Sequence, residues 1–134
     1  MKFKIFLTVA CLFSVLATAG LAQTTDDQKL QAFFKGYLEQ HFHQQPVAAT
    51  ALGDHRFDAE LDDISPAARA GWVKLARQTL KALPTAVNFK ALSRNGQVDY
   101  EILKNQLTAQ IWQAENLQPF AEDARTEGSY LSDS

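Results

Sequence analysis

The 134-residue sequence is poor in the residues on which several classes of small protein depend. Its one cysteine, Cys11, allows no disulfide bond within the chain and no zinc site built on several thiolates. Six glycines and four prolines are too few for a collagen-like or linker-like chain. Basic residues do not outnumber acidic ones, since the net charge is −2, which argues against nucleic-acid binding. The composition therefore favours one small domain that is stabilised by an apolar core.

The first 22 positions combine a positive start, an apolar run and small residues. Two lysines precede the apolar run 5–16, and the small residues at 20–22 fit a cleavage site. We predict that residues 1–22 are a signal peptide and that the protein is periplasmic or secreted. The run is short for a membrane span of roughly 20 residues, so no membrane association beyond the signal peptide is expected. Cleavage would leave eleven basic and fifteen acidic side chains, which disfavours attachment to DNA or anionic lipid.

Apolar residues recur at helical spacing in three stretches of the remaining chain. The stripe of the first contains Leu30, Phe33, Phe34, Tyr37, Leu38 and His41, and that of the second Ala68, Trp72, Leu75, Ala76, Thr79 and Leu83. Ser65 and Ser93 are suited to cap helices, Pro84 to end one, and Gly53 to follow a short helix over 47–52. We predict an all-α fold, a bundle of three to four helices over residues 23–119, with a disordered tail at 120–134.

The last predicted helix, which runs to about residue 117, is apolar on two faces. One face carries Tyr100, Leu103, Leu107, Ile111, Ala114 and Leu117, and the other carries Val98, Ile102, Ala109 and Trp112. A helix that is apolar on two faces is usually buried on both, whereas a small bundle readily covers one. We therefore expect the second face to contact either a missing C-terminal portion of the same protein or a second copy of the chain.

The polar segment 54–64 contains the candidate site residues His55, Arg56 and Asp58. His55 and Asp58 could orient one another, but no nucleophile lies near them in sequence. The alternative interpretation is structural, with Arg56 paired to carboxylates and Phe57 inserted in the core. Neither interpretation assigns a reaction to the segment.

No catalytic residue, metal ligand or cofactor site is predicted for this chain. His41 and His43 are two positions apart, so on a helix they point about 200° away from each other. The pattern His-Glu-x-x-His, a glycine-rich phosphate loop and a Gly-x-Ser-x-Gly turn are all missing from the sequence. His41 is expected to pack on the apolar face of its helix.

Two stretches together resemble the start of the DUF885 family of bacterial proteins. They are FFKGYLEQHFHQQPVAATALGDHRFDAELDDIS and LSRNGQVDYEILKNQL, within a similarity that covers residues about 30–119. Its more specific parts are Pro46 with Ala49-Thr50-x-Leu52-Gly53, then His55-Arg56-Phe57-Asp58, and then Asp99-Tyr100 with Leu103.

The resemblance implies a protein larger than this chain. Members of the family are longer, largely helical and often exported, and they carry a zinc-peptidase-like His-Glu-x-x-His helix downstream of the region matched here. Zinc is therefore expected only in full-length relatives, and no zinc ligand or catalytic glutamate of the family has a position in this sequence. His55, Arg56 and Asp58 match a family motif to which no role is assigned.

The first hypothesis is that the chain is the N-terminal helical segment of an exported DUF885-type zinc metallopeptidase and is inactive alone. The sequence after Phe120 departs from the family pattern, so we expect a truncated gene, a frameshift or a partial record. The alternative is a stand-alone exported helical module that binds a protein partner through its exposed apolar stripe.

Overall fold

A computed structural model describes residues 25–123 and 125–126. The predicted signal peptide at 1–22 and most of the predicted tail at 120–134 lie outside the described residues. The described part contains five α-helices and no strand, which confirms the all-α prediction. The helices are α1 (Thr25–Gln44), α2 (Pro46–Ala51), α3 (Pro66–Ala86), α4 (Arg94–Asn116) and α5 (Pro119–Glu122), with short 3-10 helices at His55–Phe57 and Phe89–Ala91.

Ser65 and Ser93 cap the starts of α3 and α4, and Gly53 follows the end of α2, as the sequence predicts. The Ser65 hydroxyl accepts a hydrogen bond from the Ala68 N–H at 3.2 Å, and the Ser93 hydroxyl accepts one from the Gly96 N–H at 3.1 Å. Gly53 follows α2 with a φ of 87°, a backbone conformation that side chains with a Cβ rarely adopt. The N–H groups of Gly53 and Asp54 bond to the carbonyls of Thr50 and Ala49, which is a Schellman motif.

The prediction that Pro84 ends the third helix is wrong, because α3 continues to Ala86. Proline lacks an N–H and removes one helical hydrogen bond, but near the helix end little of the bonding ladder depends on it. Leu83 and Val87 are both buried and hold the last turn against the core, while Pro84 itself is exposed. The Val87 N–H bonds to the Leu83 carbonyl at 3.2 Å and completes the turn.

The core lies between the three long helices. α3 runs antiparallel to α1 and α4 and packs against both, so that α1 and α4 are parallel to each other. Leu83 and Leu107 are fully buried at the centre. The remaining members of the core cluster are Leu30, Ala76, Val87, Leu92, Tyr100 and Leu103.

The N-terminal turn of α1 is joined to the connection between α3 and α4 by two buried carboxylates. Asp26 Oδ1 accepts a hydrogen bond from the Asn88 N–H at 3.3 Å, and Asp27 Oδ1 accepts one from the Ser93 N–H at 3.1 Å. Gly96 lies directly against Asp27, and a Cβ at this position would overlap the carboxylate. The absence of a side chain at Gly96 thus lets α1 approach the start of α4.

Replacing Gly96 by alanine should destabilise the fold by about 1–3 kcal/mol, because the new methyl group would displace Asp27 from its backbone partner. Gly36→Ala is the matched control, since a Cβ at this exposed position of α1 meets nothing within 4 Å. It should stabilise the fold by about 0.5–1 kcal/mol. Urea unfolding followed by circular dichroism measures both, and equal stabilities of the two variants would contradict the close approach.

Candidate functional site

The HRFD segment, residues 55–58, forms a tight turn directly after α2. Its 3-10 helix is capped by Asp54, whose carboxylate accepts a hydrogen bond from the Arg56 N–H at 3.3 Å. Phe57 is 5% exposed and lies in a small apolar cluster with Phe42 of α1 and Ala49 of α2. The rings of His43 and Phe57 pack in a T-shaped arrangement, with their centroids 5.0 Å apart. The turn is therefore anchored to both helices by one aromatic side chain.

Arg56 ties the same turn to α1 through charged groups. Its terminal nitrogens donate to both oxygens of Glu39 at 2.8 and 3.1 Å, and it donates to Asp54 at 2.7 and 2.9 Å. These hydrogen bonds raise the pKa of Arg56 and lower the pKa of both Glu39 and Asp54 from their ordinary values. The predicted pairing of Arg56 with carboxylates and the predicted burial of Phe57 are both confirmed.

His55 and Asp58 lie together on the exposed side of the turn. Asp58 Oδ2 is 3.1 Å from His55 Nδ1, and Asp58 Oδ1 accepts a hydrogen bond from the Thr50 hydroxyl at 2.8 Å. Asp58 thus orients the imidazole and leaves its Nε2 toward solvent, an arrangement that also occurs behind catalytic and metal-binding histidines. Along the described chain, however, no three His, Cys, Asp or Glu side chains form a group that could hold a metal ion. A chemical role for His55, Arg56 and Asp58 stays a prediction.

One contact of the segment was not predicted from the sequence. Asp62 Oδ1 accepts a hydrogen bond from the Val47 N–H at 3.0 Å and so satisfies a donor at the start of α2. Gln45, the residue before the helix, supplies no such side-chain bond. The sequence shows that no capping residue precedes Pro46. It does not show that Asp62, 15 positions after Val47, accepts the hydrogen bond instead.

An apolar groove lies between α1 and α4, and we call it the α1–α4 groove. It has a volume of about 330 Å³. Its lining residues are Phe34, Tyr37, Leu38, His41, Leu52, Asp99, Ile102, Leu103 and Gln106. Three of the large exposed apolar side chains of the protein therefore meet in one place, because Leu38, Leu52 and Ile102 come from different segments.

A second groove of about 470 Å³ lies between α3 and the C-terminal half of α4. Gln110, Gln113 and Leu117 line it from α4, and the Arg69 guanidinium lies 4.1 Å from the ring centre of Phe120 at its end. Positions 99, 102 and 106 of the first groove and positions 110, 113 and 117 of the second are each three or four residues apart, so they lie on one side of α4. Both grooves therefore lie along one face of α4.

His41 lies half-buried in the wall of the α1–α4 groove. Its ring stacks on Tyr37 with the centroids 5.7 Å apart, as expected for a packed histidine. Burial lowers the pKa of His41 below its ordinary value, and the nearby Asp62 carboxylate offsets part of this effect. The neutral imidazole is therefore the form that the folded chain favours.

Comparison with known protein families identifies the family to which this chain belongs. The family described as "Bacterial protein of unknown function (DUF885)" matches residues 46–133, about two thirds of the chain. The chain belongs to the DUF885 family. The family match begins at α2, includes the HRFD segment, α3 and α4, and so confirms the predicted resemblance. Its bounds differ from the predicted 30–119, because it starts after α1 and continues past Phe120 to residue 133. Neither a curated protein nor a solved structure gives a significant match to the chain.

The family parts that were singled out in the sequence have distinct positions in this DUF885 chain. Tyr100 and Leu103 are core residues, whereas Asp99 beside them lines the α1–α4 groove. The HRFD segment joins α2 to α1 through the contacts of Arg56 with Glu39 and of Phe57 with Phe42. The described part of the chain contains no helix that is long and apolar enough to cross a membrane.

Phe57→Ala should destabilise the fold by about 3–5 kcal/mol, because it empties the small cluster that joins α1, α2 and the HRFD segment. Leu61→Ala is the control in the same loop, since Leu61 is 67% exposed, and its effect should stay within about 0.5 kcal/mol. Urea denaturation measures both changes. Equal effects of the two substitutions would show that Phe57 does not anchor the turn.

Stability should also fall as the pH drops below about 6.5, the ordinary pKa of histidine. Since the pKa of His41 is lower in the folded chain, the unfolded chain takes up a proton at pH values where the folded chain does not. The contribution of His41 to the unfolding free energy is complete above its pKa in the unfolded chain. It is lost as the pH falls toward its pKa in the folded chain. The pH dependence of the unfolding free energy should flatten in this range in His41→Phe and persist in His55→Gln. A slope that survives in His41→Phe would assign it to another group.

Proposed function

We propose that this DUF885 chain is the N-terminal helical segment of an exported zinc metallopeptidase and is inactive alone. In this proposal it packs through α4 against further helices of the same protein, which carry the catalytic His-Glu-x-x-His. The observation that carries the proposal is the second apolar stripe of α4, on which Val98, Ile102 and Trp112 are all exposed. Exposed apolar side chains grouped on one face are typical of an interaction surface.

The zinc expected from the family resemblance does not fit the residues described here. They offer no group of three donor side chains, so the proposal assigns no step of hydrolysis to them. The contribution of this chain would be structural, as a rigid wall beside the catalytic region. Export is proposed from the signal-peptide pattern of residues 1–22 and implies a periplasmic or secreted protein.

A stand-alone exported interaction module is the second candidate. The observation that favours it is the self-contained core, because α1, α3 and α4 fully bury Leu83 and Leu107 without further helices. A folded unit with an exposed apolar face is what a small partner-binding protein requires. The two candidates differ in whether the partner is encoded in the same gene.

The nucleotide sequence beyond codon 134 distinguishes the two. We expect the same or a shifted frame to encode a long helical protein with His-Glu-x-x-His, and the protein expressed from the restored frame to bind zinc and hydrolyse peptides. The 134-residue chain, assayed in parallel, should do neither. A genuine terminator followed by an unrelated gene would favour the module, and zinc-dependent turnover by the short chain would contradict both.

A further inference from the structure

The α1–α4 groove has the shape of a binding site for one more helix. Its wall from α1 consists of residues 34, 37, 38 and 41, and its wall from α4 consists of residues 99, 102, 103 and 106. Both sets have the spacing i, i+3, i+4 and i+7, so each helix presents two turns of one face to the groove. Two parallel helices arranged in this way form a channel into which the side chains of another helix fit.

α3 already packs along another side of α1, where Leu30 of α1 and Ala76 of α3 are buried in the common core and Phe33 packs against it. The three long helices therefore occupy three positions of a four-helix arrangement, and the α1–α4 groove is the fourth.

Three of the eight large exposed apolar side chains in the described part of the chain line this groove. Leu38, Leu52 and Ile102 are 39%, 71% and 58% exposed, yet they converge from α1, the end of α2 and α4. A single exposed leucine is ordinary on a protein surface, whereas a contiguous apolar patch indicates an interface. Burial of these side chains by a partner would therefore be favourable in free energy, and the described part of the chain does not bury them by itself.

The charge of the groove identifies the kind of helix that fits. Asp99 is the charged lining residue on the α4 side, and neither a lysine nor an arginine lines the groove within the described residues. The structure gives Asp99 no ion pair in the part of the chain that it describes, while Glu101 and Glu115 on other sides of α4 pair with Lys104 and Arg77. A cation on the partner would therefore meet an available carboxylate beside an apolar surface.

The α4 helix of a second copy of the chain does not supply the cation that would pair with Asp99. α4 carries two cations: Lys104, which is already bonded to Glu101 at 3.2 Å, and Arg94 at its first position, which would face Asp99 of a second copy only if the two helices overlapped by their first turns. Two copies facing each other along α4 would leave both Asp99 carboxylates without a partner. The charge pattern favours a different helix over self-association.

We infer that the α1–α4 groove binds an amphipathic α-helix with apolar residues at i, i+3 and i+7 and a lysine or arginine opposite Asp99. The inference rests on the proposed function and deepens it, because it specifies the helix of the remaining DUF885 protein that covers this face. The same face of α4 continues from Asp99 through the second groove to Leu117, so a helix that covers both grooves has about 18 residues, or a length of about 27 Å.

Two designed peptides of about 18 residues test the inference on the full chain. They share the same leucines at helical spacing and differ only in their flanking residues, which are lysines in one peptide and glutamates in the other. Fluorescence anisotropy should show the lysine peptide binding at least about tenfold more tightly. Amide shifts in NMR spectra should locate it at Leu38, Leu52 and Ile102.

Variants of the groove separate the apolar contribution from the charge. Ile102→Gln should weaken binding of the lysine peptide at least about tenfold, and Leu61→Gln, which changes an exposed leucine outside the groove, should not. Asp99→Asn should weaken binding of the lysine peptide about two- to fivefold and reduce the preference over the glutamate peptide. Circular dichroism checks that each variant is folded.

The inference is overturned if neither peptide binds, if both bind equally, or if Ile102→Gln and Leu61→Gln behave alike. It is also overturned if sedimentation shows a stoichiometric dimer that Ile102→Gln dissociates, because the occupant is then a second copy. Failure of the proposed function is a separate result, read from the downstream gene. If the lysine peptide binds but no peptidase is encoded downstream, the groove inference stands and the proposed function fails. If a peptidase is encoded but neither peptide binds, the groove inference fails and the proposed function stands.

Discussion

The arrangement of the helices depends on the two buried carboxylates at the start of α1. Asp26 and Asp27 accept hydrogen bonds from backbone N–H groups at Asn88 and Ser93, in the connection that leads into α4. Each bond satisfies a donor that would otherwise lie unpaired in a partly buried position, where its loss costs about 1–3 kcal/mol. Because these bonds place the starts of α1 and α4 side by side, the two helices run parallel. The groove between them is a direct result of that alignment.

The sequence predicted the features that are encoded within a few residues of one another. Ser65, Ser93 and Gly53 occupy the positions expected for them, because a cap or a left-handed turn is specified by its immediate neighbours. The pairing of Arg56 was also predictable, since carboxylates surround it in the chain. The two apolar faces of α4 followed from its periodicity alone, and the exposed one lies where the pattern placed it.

The features that could not be predicted depend on residues far apart in sequence. Nothing local to Asp27 indicates Gly96 as its neighbour, and nothing local to Asp62 indicates that it accepts from Val47. The same holds for the α1–α4 groove, because Leu38, Leu52 and Ile102 are unremarkable until the fold brings them together. Pro84 is a local exception, where burial of its neighbours outweighed the usual helix-ending effect of proline.

The contacts around the HRFD segment connect residues that are close in the chain, whereas those of Asp26 and Asp27 do not. Arg56 lies 17 positions from Glu39, while Asp26 and Asp27 bond to groups 62 and 66 positions away. Closing a short loop loses less chain entropy than closing a long one. During synthesis on the ribosome, the hairpin formed by the end of α1, α2 and the HRFD turn can thus assemble while α4 is still untranslated. The bundle is completed only when the start of α4 emerges and reaches back to the first turn of α1.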